Sequence, residues 1–549
     1  MGDIFKKVFK DPLYDYISID NNICDKIIDN QYFQRLRRIE QTSMRCLYPT
    51  ARHDRFIHSL GVYHLAQIAI KALLKNEPVR IDKDNCSGEH IYQFPSESEQ
   101  KSILFSFEMA VLLHDVGHSP FSHTLEYLFK NKGYKDSDGK VQLIHIMEQF
   151  LEEAGKINSE LKEENFNEFK IDCEGAKAAP HVIASCIIIF KCFKEILAQI
   201  AEDRNNDDGY DKTKGGEKCK IKPNYLFIAR CILGAQYSNI NDSNGYKNCI
   251  IRLLNSSIDV DKLDYIARDS AVSGFANTLV DTKRLLCALV FAIYNDTDKK
   301  QKICLAFRKT AVGVIQNVVT SRNSLYTWIY SHHKVVYESE LIGAAVEAIA
   351  KEYEEPDLLK ANYFSVDSIE NNLVCDDVIW NLFLNHKDLP EVNAVVKRND
   401  RNKALWKSFA EFQAFFSTSD NVTPIGSFST EQMNNYLVRN KIERKGLLDY
   451  VNRFKSSDGH QFKFDIVVNS MKLTHIAHNS IMIYINNRLY SFDTIFSDLC
   501  KKIEVLPFFY LYCSKDDKNL LTKDNYKLRN ELIAYIKNFE EFRLSPTGC

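Results

Sequence analysis

LLHDVGHSPFSH, residues 112–123, is the stretch on which the reading of this chain turns. Residues 101–116 (KSILFSFEMAVLLHDV) read as an apolar helix stopped near Gly117 and Pro120. The run ends in adjacent His114 and Asp115, and His118 and His123 follow closely. Burying a His-Asp pair is costly unless both side chains find partners. A single cation bound by an imidazole nitrogen and a carboxylate oxygen supplies them. An isolated HD dipeptide is weak, because a helix-terminal His beside a solvated Asp gives the same two letters. The extra histidines and the Gly-Ser-Pro turn shift the reading toward a site.

A cation needs more ligands, and two other stretches offer them. HDRFIHSLGVYHL, residues 53–65, places His53, His58 and His64 on an expected helix. His58 follows Arg55 by three, so both share a helix face. SIDVDKLDYIARDS, residues 257–270, holds Asp259, Asp261, Asp264 and Asp269, with Asp261, Tyr265 and Arg268 spaced for one face. Read alone, that acidic stretch is also a solvated amphipathic helix.

Composition bounds the rest. The 549 residues are 45% hydrophobic and 26% charged, the balance of a globular chain and not of a disordered or fibrous one. Lys+Arg number 71 against 73 Asp+Glu, a net charge of −2. Such a chain has no global attraction for nucleic acid or anionic membrane, so any phosphate must meet a local basic cluster. The 15 cysteines are odd in number, form no CxxC, and include Cys186 inside IASCIIIF. They read as small buried hydrophobes in a reducing compartment, not as a disulfide framework or a thiolate zinc site. MGDIFKKVFKDP has no apolar signal core, and Lys6 stands where myristoylation needs Ser or Thr. The longest apolar run, around residues 182–190, is too short to span a bilayer. A cytoplasmic protein with no membrane partner is expected.

Helical periodicity runs through residues 26–75, 101–116, 180–202, 223–355 (broken by the turn NDTDKK at 295–300) and 405–455. Residues 76–100 and 202–218 read as loops, and 130–178 as a surface insertion. Past 462 the period changes: FKFDIVV, SIMIYIN and FFYLYC read as strands. The expected class is mainly α, a helical body with a smaller α+β C-terminal region.

DPLYDYI, FQRLRRIEQ, RFIHSLGV, LLHDVGHSPFSH, DVDKLDYIARD and RNSLYTWIYSHHKV, in this order, resemble the HD-domain phosphohydrolases. Within them they are most similar to the deoxynucleotide triphosphohydrolase branch, including its sterile-alpha-motif/HD type. KIERKGLLDYV and FFYLYCSK extend the likeness, which covers residues 7–515 and is weakest at 130–175, 200–222 and 356–435. The chain begins almost where the HD body would begin, so no sterile-alpha-motif domain is expected. The resemblance implies an HD body over 1–355, with insertions near 76–100, 130–178 and 202–222. It implies a regulatory or oligomerisation extension over 356–549.

It also implies roles. His58, His114, Asp115 and Asp261 match the ligands of one divalent ion (Mg, Mn, Fe or Zn). Arg55, Lys262 and Arg322 match cations that hold phosphates, and His118 and His123 match active-site histidines that contact phosphate and water. The general acid of the family lies in an H-E-x-x-S segment; here PHVIASCIIIF offers His181 and Ser185, with Val182 replacing the acidic residue, and His145 is the competitor. Gln41 and Asp269 match contacts to a 3′-hydroxyl, and Tyr330 and Tyr265 match the sugar pocket. Thr42 replaces an apolar pocket residue, and YSHHKV carries one extra residue. Lys7, Val8, Asp29, Gln34 and Arg37 match a guanine-nucleotide activator site, and Arg308, His333 and Lys334 a neighbouring second nucleotide site. Lys10, Lys445 and Asp449 depart from that pattern.

The function implied is metal-dependent hydrolysis of deoxynucleoside triphosphates to deoxynucleoside and triphosphate, in nucleotide-pool homeostasis or defence. A nucleotide effector (guanine nucleotide or dNTP) and a homo-oligomer (dimer, tetramer or hexamer) are implied too; nucleic acid is not required. Two other readings remain open. One is an HD phosphohydrolase acting on another nucleotide or on nucleic acid; the other is a nucleotide-sensing scaffold whose pocket does not turn over.

Overall fold

The computed structural model describes residues 6–81, 91–135, 141–206, 220–275, 280–296, 300–353, 356–398, 401–416, 441–468, 481–496, 509–521 and 525–544. It is mainly helical with small sheets, as the patterning requires. The chain forms two compact units: Met1–Arg322 with Ile349–Asn385 and His475–Lys502, and Asn323–Ala348 with His386–Thr474 and Ile503–Cys549. Neither unit is one continuous stretch, whereas the division drawn from the sequence at 355/356 is.

The first unit is built on helices whose ends are marked locally. Asp54 caps α1 (Arg55–Lys75) by accepting from the Ile57 amide at 2.9 Å. Ser96 caps α2 (Glu97–Leu113), which hands the chain directly to His114 and Asp115. Pro180 opens α3 (Pro180–Ile188) at a position where its missing N–H costs nothing. Asn224 caps α4 (Tyr225–Leu233), which Gly234 closes at φ +74°. After α5 (Asp242–Leu254), Asp259 caps α6 (Val260–Ser273) through the Lys262 amide. α1 packs on α2 and α6, and α4 packs on α2 and α3. α1 is long and apolar enough to cross a bilayer, but 67% of that window is buried within the protein and it carries His58, so it is a core helix.

Several local expectations are corrected. Residues 26–75 are not one helical region: short π and 3-10 turns over Cys24–Ile28 and Arg35–Arg38 precede a largely irregular stretch before α1. DPLYDYI is the turn of a hairpin, Lys6–Asp11 paired with Asp15–Asp20, in which Asp11 Oδ1 accepts from the amides of Leu13 (2.7 Å) and Tyr14 (3.0 Å). Within the supposedly helical 223–355, Leu289–Asn295 and Gln301–Arg308 form an antiparallel hairpin. Its first strand begins with five consecutive buried residues, and such a run lacks the alternation that separates strand from helix. Among its described residues the insertion at 130–178 contains a strand pair (Asn131–Lys135 with Val141–His145) and the helices Ile146–Leu161 and Phe166–Gly175. Much of the loop at 202–218 lies outside the described residues.

The strand in SIMIYIN, Met482–Ile485, joins the sheet of the first unit, running parallel to Gln301–Arg308. FKFDIVV and FFYLYC instead pair with each other in the second unit, as Asp465–Val468 and Phe509–Cys513, with Lys403–Ala404 on the other edge. That sheet backs an aromatic core around Trp406, whose indole N–H donates to the Phe509 carbonyl at 2.7 Å.

Candidate functional site

α1, the end of α2 and the first turn of α6 bring His58, His114, Asp115 and Asp261 together. Ring nitrogens of His58 and His114 and a carboxylate oxygen of Asp261 lie within 4.8 Å of one another. Asp115 sits among them, with Oδ2 3.9 Å from His58 Nε2 and Oδ1 3.7 Å from His114 Nε2. Both histidines are oriented from behind. His58 Nδ1 faces Asp264 Oδ2 at 2.7 Å, and His114 Nδ1 faces the Val111 carbonyl at 2.8 Å. That leaves Nε2 of each buried and without a hydrogen bond of normal geometry among the described residues, even though Asp261 Oδ1 is 3.1 Å from His58 Nε2. Two orphaned imidazole nitrogens converging with two carboxylates fit a divalent cation.

The electrostatics agree. Burial alone would push the Asp115 carboxyl up, but the Arg55 guanidinium and the surrounding histidines hold it well below the carboxylate range. Burial lowers His58, and the Asp261 and Asp264 carboxylates overcome this and raise it to about 9.

The His58 support continues inward. Asp264 is forked by Arg268 (2.9 and 2.8 Å), and Arg268 Nη1 reaches Asp11 Oδ2 at 2.9 Å; all three are buried. Asp11 therefore both turns the N-terminal hairpin and ends this chain of charges. Gly61 lets it through: a Cβ there would lie 2.0 Å from Asp264 Oδ1.

A second cluster lies just past the HD pair. His118, His123 and His181 offer one ring nitrogen each, all within 4.8 Å of one another, and the His118 and His181 rings stack at 4.3 Å. Glu126 holds two of them, Oε1 at 2.7 Å from His181 Nδ1 and Oε2 at 2.9 Å from His123 Nδ1. Sequence reasoning missed Glu126 and took Val182 to leave His181 without an acid. The signal was its place three residues after His123. His118 is fully buried, and burial, reinforced by Arg55, keeps its imidazole neutral. Gly117 allows the HD turn to touch α3, because a Cβ there would sit 2.2 Å from the Ser185 amide nitrogen; Ser185 Oγ accepts from the Gly117 amide at 3.0 Å. His145 caps the Ile146–Leu161 helix at the surface and is not part of this cluster.

The other expected residues are placed as follows. Arg55 bonds Asp115 (2.7 Å), Ser122 Oγ (3.0 Å) and the Gln41 carbonyl (3.1 Å). Gln41 Oε1 is buried with no hydrogen-bond partner among the described residues. Asp269 Oδ1 meets His53 Nε2 at 2.6 Å. Lys262 pairs with Asp259 at 2.6 Å, and Arg322 Nε donates to Tyr265 Oη at 3.3 Å. Tyr330, His333 and Lys334 belong to the second unit, where Tyr330 packs edge-on against Tyr326. Lys7 bridges Asp25 (2.9 Å) and Asp29 (3.0 Å) at the surface, beside exposed Val8. Gln34 accepts from Arg37 at 3.0 Å, and Arg37 lies over the Phe56 ring. Arg308 ends its strand with Nη2 3.5 Å from the Glu77 carbonyl.

A helical body that gathers His58, His114–Asp115 and Asp261 around one point is an HD-domain architecture. No family model matches the chain. It is 27% identical over 416 residues to the deoxynucleoside triphosphate triphosphohydrolase SAMHD1 of Xenopus laevis, covering 72% of this chain and 54% of that protein. Its fold is similar to a hypothetical protein from Aquifex aeolicus (TM-score 0.53, 18% identity, 96% of this chain and 100% of that one). It is also similar to a phosphohydrolase from Bacteroides thetaiotaomicron (TM-score 0.51, 19% identity, 93% of this chain and 99% of that one). These likenesses support an HD-domain, dNTPase-like family. The chain spans about half the length of the curated relatives it matches.

Proposed function

We propose that this protein is a metal-dependent phosphohydrolase that cleaves deoxynucleoside triphosphates to deoxynucleoside and inorganic triphosphate. The observation that carries the reading is the adjacency of two groups of side chains: four cation ligands, and a histidine cluster held by one carboxylate. His58, His114, Asp115 and Asp261 would hold a divalent ion, which supplies charge neutralisation for phosphate oxygens and activates water. The chain's own residues do the rest. Lys262 and Arg322 meet the phosphates, while Arg55 fixes Asp115. Water adds at the α-phosphorus, the bond to the 5′ oxygen breaks, and His181 delivers a proton to that oxygen while Glu126 stabilises its charged form. His118 and His123 line the path of the phosphates. Gln41 Oε1 and Asp269 receive the 3′-hydroxyl, and Tyr265 takes the sugar; an unmatched buried acceptor costs about 1–3 kcal/mol, enough to discriminate.

The same reading makes the protein cytoplasmic, oligomeric and nucleotide-regulated, with Lys7, Val8, Asp29, Gln34 and Arg37 in an effector site and 356–549 as the regulatory extension. Its role is homeostasis of the nucleotide pool or defence. The test incubates the protein with Mn2+ or Mg2+ and each dNTP, singly and in pairs, and follows deoxynucleoside and triphosphate. Formation of both supports the proposal; a dNTP inert alone that activates another is an effector. No product from any dNTP or pair overturns it.

A further inference from the structure

The histidine cluster has a feature that proton transfer does not require. Glu126 engages Nδ1 of both His123 and His181, and Nδ1 of His118 faces the Ser119 carbonyl at 3.4 Å. Each ring is thus tied on its Nδ1 side, leaving Nε2 as the nitrogen open to a ligand. His118 is wholly buried and its Nε2 has no partner among the described residues. His123 has a side chain 59% exposed, so the cluster is reachable from solvent. Imidazoles backed by a carboxylate on the far nitrogen are the usual setting of zinc-binding histidines. Two of the three rings are backed in this way by Glu126, and one ring nitrogen of each of the three lies within 4.8 Å of the others, so the cluster offers three nitrogen donors with room for an exogenous fourth ligand.

We propose that His118, His123 and His181 form a second cation site, distinct from the His58/His114/Asp115/Asp261 site and selective for Zn2+. The two donor sets differ in kind. The first mixes two imidazoles with two carboxylates and so accepts oxygen-preferring ions such as Mn2+. The second offers nitrogen alone to the ion, which favours zinc over Mg2+ or Mn2+. An ion there occupies the nitrogen with which His181 would deliver its proton, so zinc at this site inhibits turnover. That consequence rests on the function proposed above; the binding does not.

The test measures binding first. Metal-free protein is titrated with Zn2+ by equilibrium dialysis, and with Co2+ followed by the visible absorption of tetrahedral cobalt. The wild type takes up two equivalents, Asp261→Ala one, and Asp261→Ala with His123→Ala none. His123 is exposed, so removing its ring leaves the core intact. Glu126→Gln, in the Asp261→Ala background, weakens the remaining site about 10- to 100-fold. Asp261→Ala protein that binds no zinc overturns the proposal, as does one whose single zinc is indifferent to both His123→Ala and Glu126→Gln. Inhibition of the Mn2+-loaded enzyme by added Zn2+, relieved by chelation, supports the regulatory consequence. Zinc uptake in a protein that cleaves no dNTP refutes the function and spares the site; cleavage without a second zinc does the reverse.

Discussion

Glu126 Oε1 lies 2.7 Å from Nδ1 of His181, a residue 55 positions away on another helix, and the same carboxylate binds His123. Burial pushes the Glu126 carboxyl up, yet the two histidines hold it far below the usual carboxylate range, so the carboxylate is ionised throughout the physiological pH range. It therefore does for His181 what an acidic residue at position 182 would do: it fixes the tautomer and stabilises the imidazolium. Glu126→Gln is expected to lower kcat about 100-fold while changing KM little. The pH–rate profile should change as well, because His181 loses its carboxylate partner. Unchanged kcat and pH profile would remove Glu126 from the mechanism.

How much of this was legible in the sequence divides along physical lines. The ligand set was readable because a metal demands particular residue types, and α1 and α6 present theirs on regular helical faces. Glu126 was not, because its partner His181 comes close only through the packing of α3 on the HD turn. The Leu289–Arg308 hairpin was missed because a strand buried on both faces carries no period of two. Met482–Ile485 read correctly as a strand, but nothing local shows which sheet a strand will join. Gly61 and Gly117 stand inside quoted motifs, and their reason appears only where a Cβ would collide with Asp264 or with the α3 backbone.

Arg268 is buried between Asp11 and Asp264, and through Asp264 it orients His58. Removing it strands two buried carboxylates. Arg268→Ala is expected to destabilise the fold by about 3–5 kcal/mol, measured by urea unfolding. Arg268→Lys cannot reproduce the fork to Asp264 and should recover only part of that. A loss below 1 kcal/mol for Arg268→Ala would show that the network is not a structural element.

Ion loading offers a separate check. An ion bound only by the native state stabilises it by about 2.7 kcal/mol at one hundred times its Kd. Adding Mn2+ to metal-free protein should raise Tm, and chelation should reverse the rise. Asp261→Ala lacks the most exposed carboxylate of the set and should show no Mn2+-dependent shift while remaining folded. Equal shifts in variant and wild type would place the ion elsewhere.

Asp376 supplies a pH dependence whose sign follows from its surroundings. Its Oδ2 accepts from the Glu40 amide at 2.9 Å and its Oδ1 from the Phe121 amide at 2.7 Å, pinning the segments that carry Gln41 and Ser122. Burial raises the carboxyl more than those two N–H groups and Arg35 lower it, and it is pushed up to about 7. In the unfolded chain such a group titrates near pH 4. The native state thus holds the proton more tightly, and the resulting stabilisation is complete below about pH 4 and lost as pH rises through 7. Between pH 5 and 8 the wild type should therefore lose stability that Asp376→Asn does not lose. The variant starts lower, since an amide can accept only one of the two N–H bonds, but its urea midpoint should run flatter with pH. Parallel profiles for the two proteins would show that Asp376 is ionised across that whole range, and that the two amides outweigh its burial.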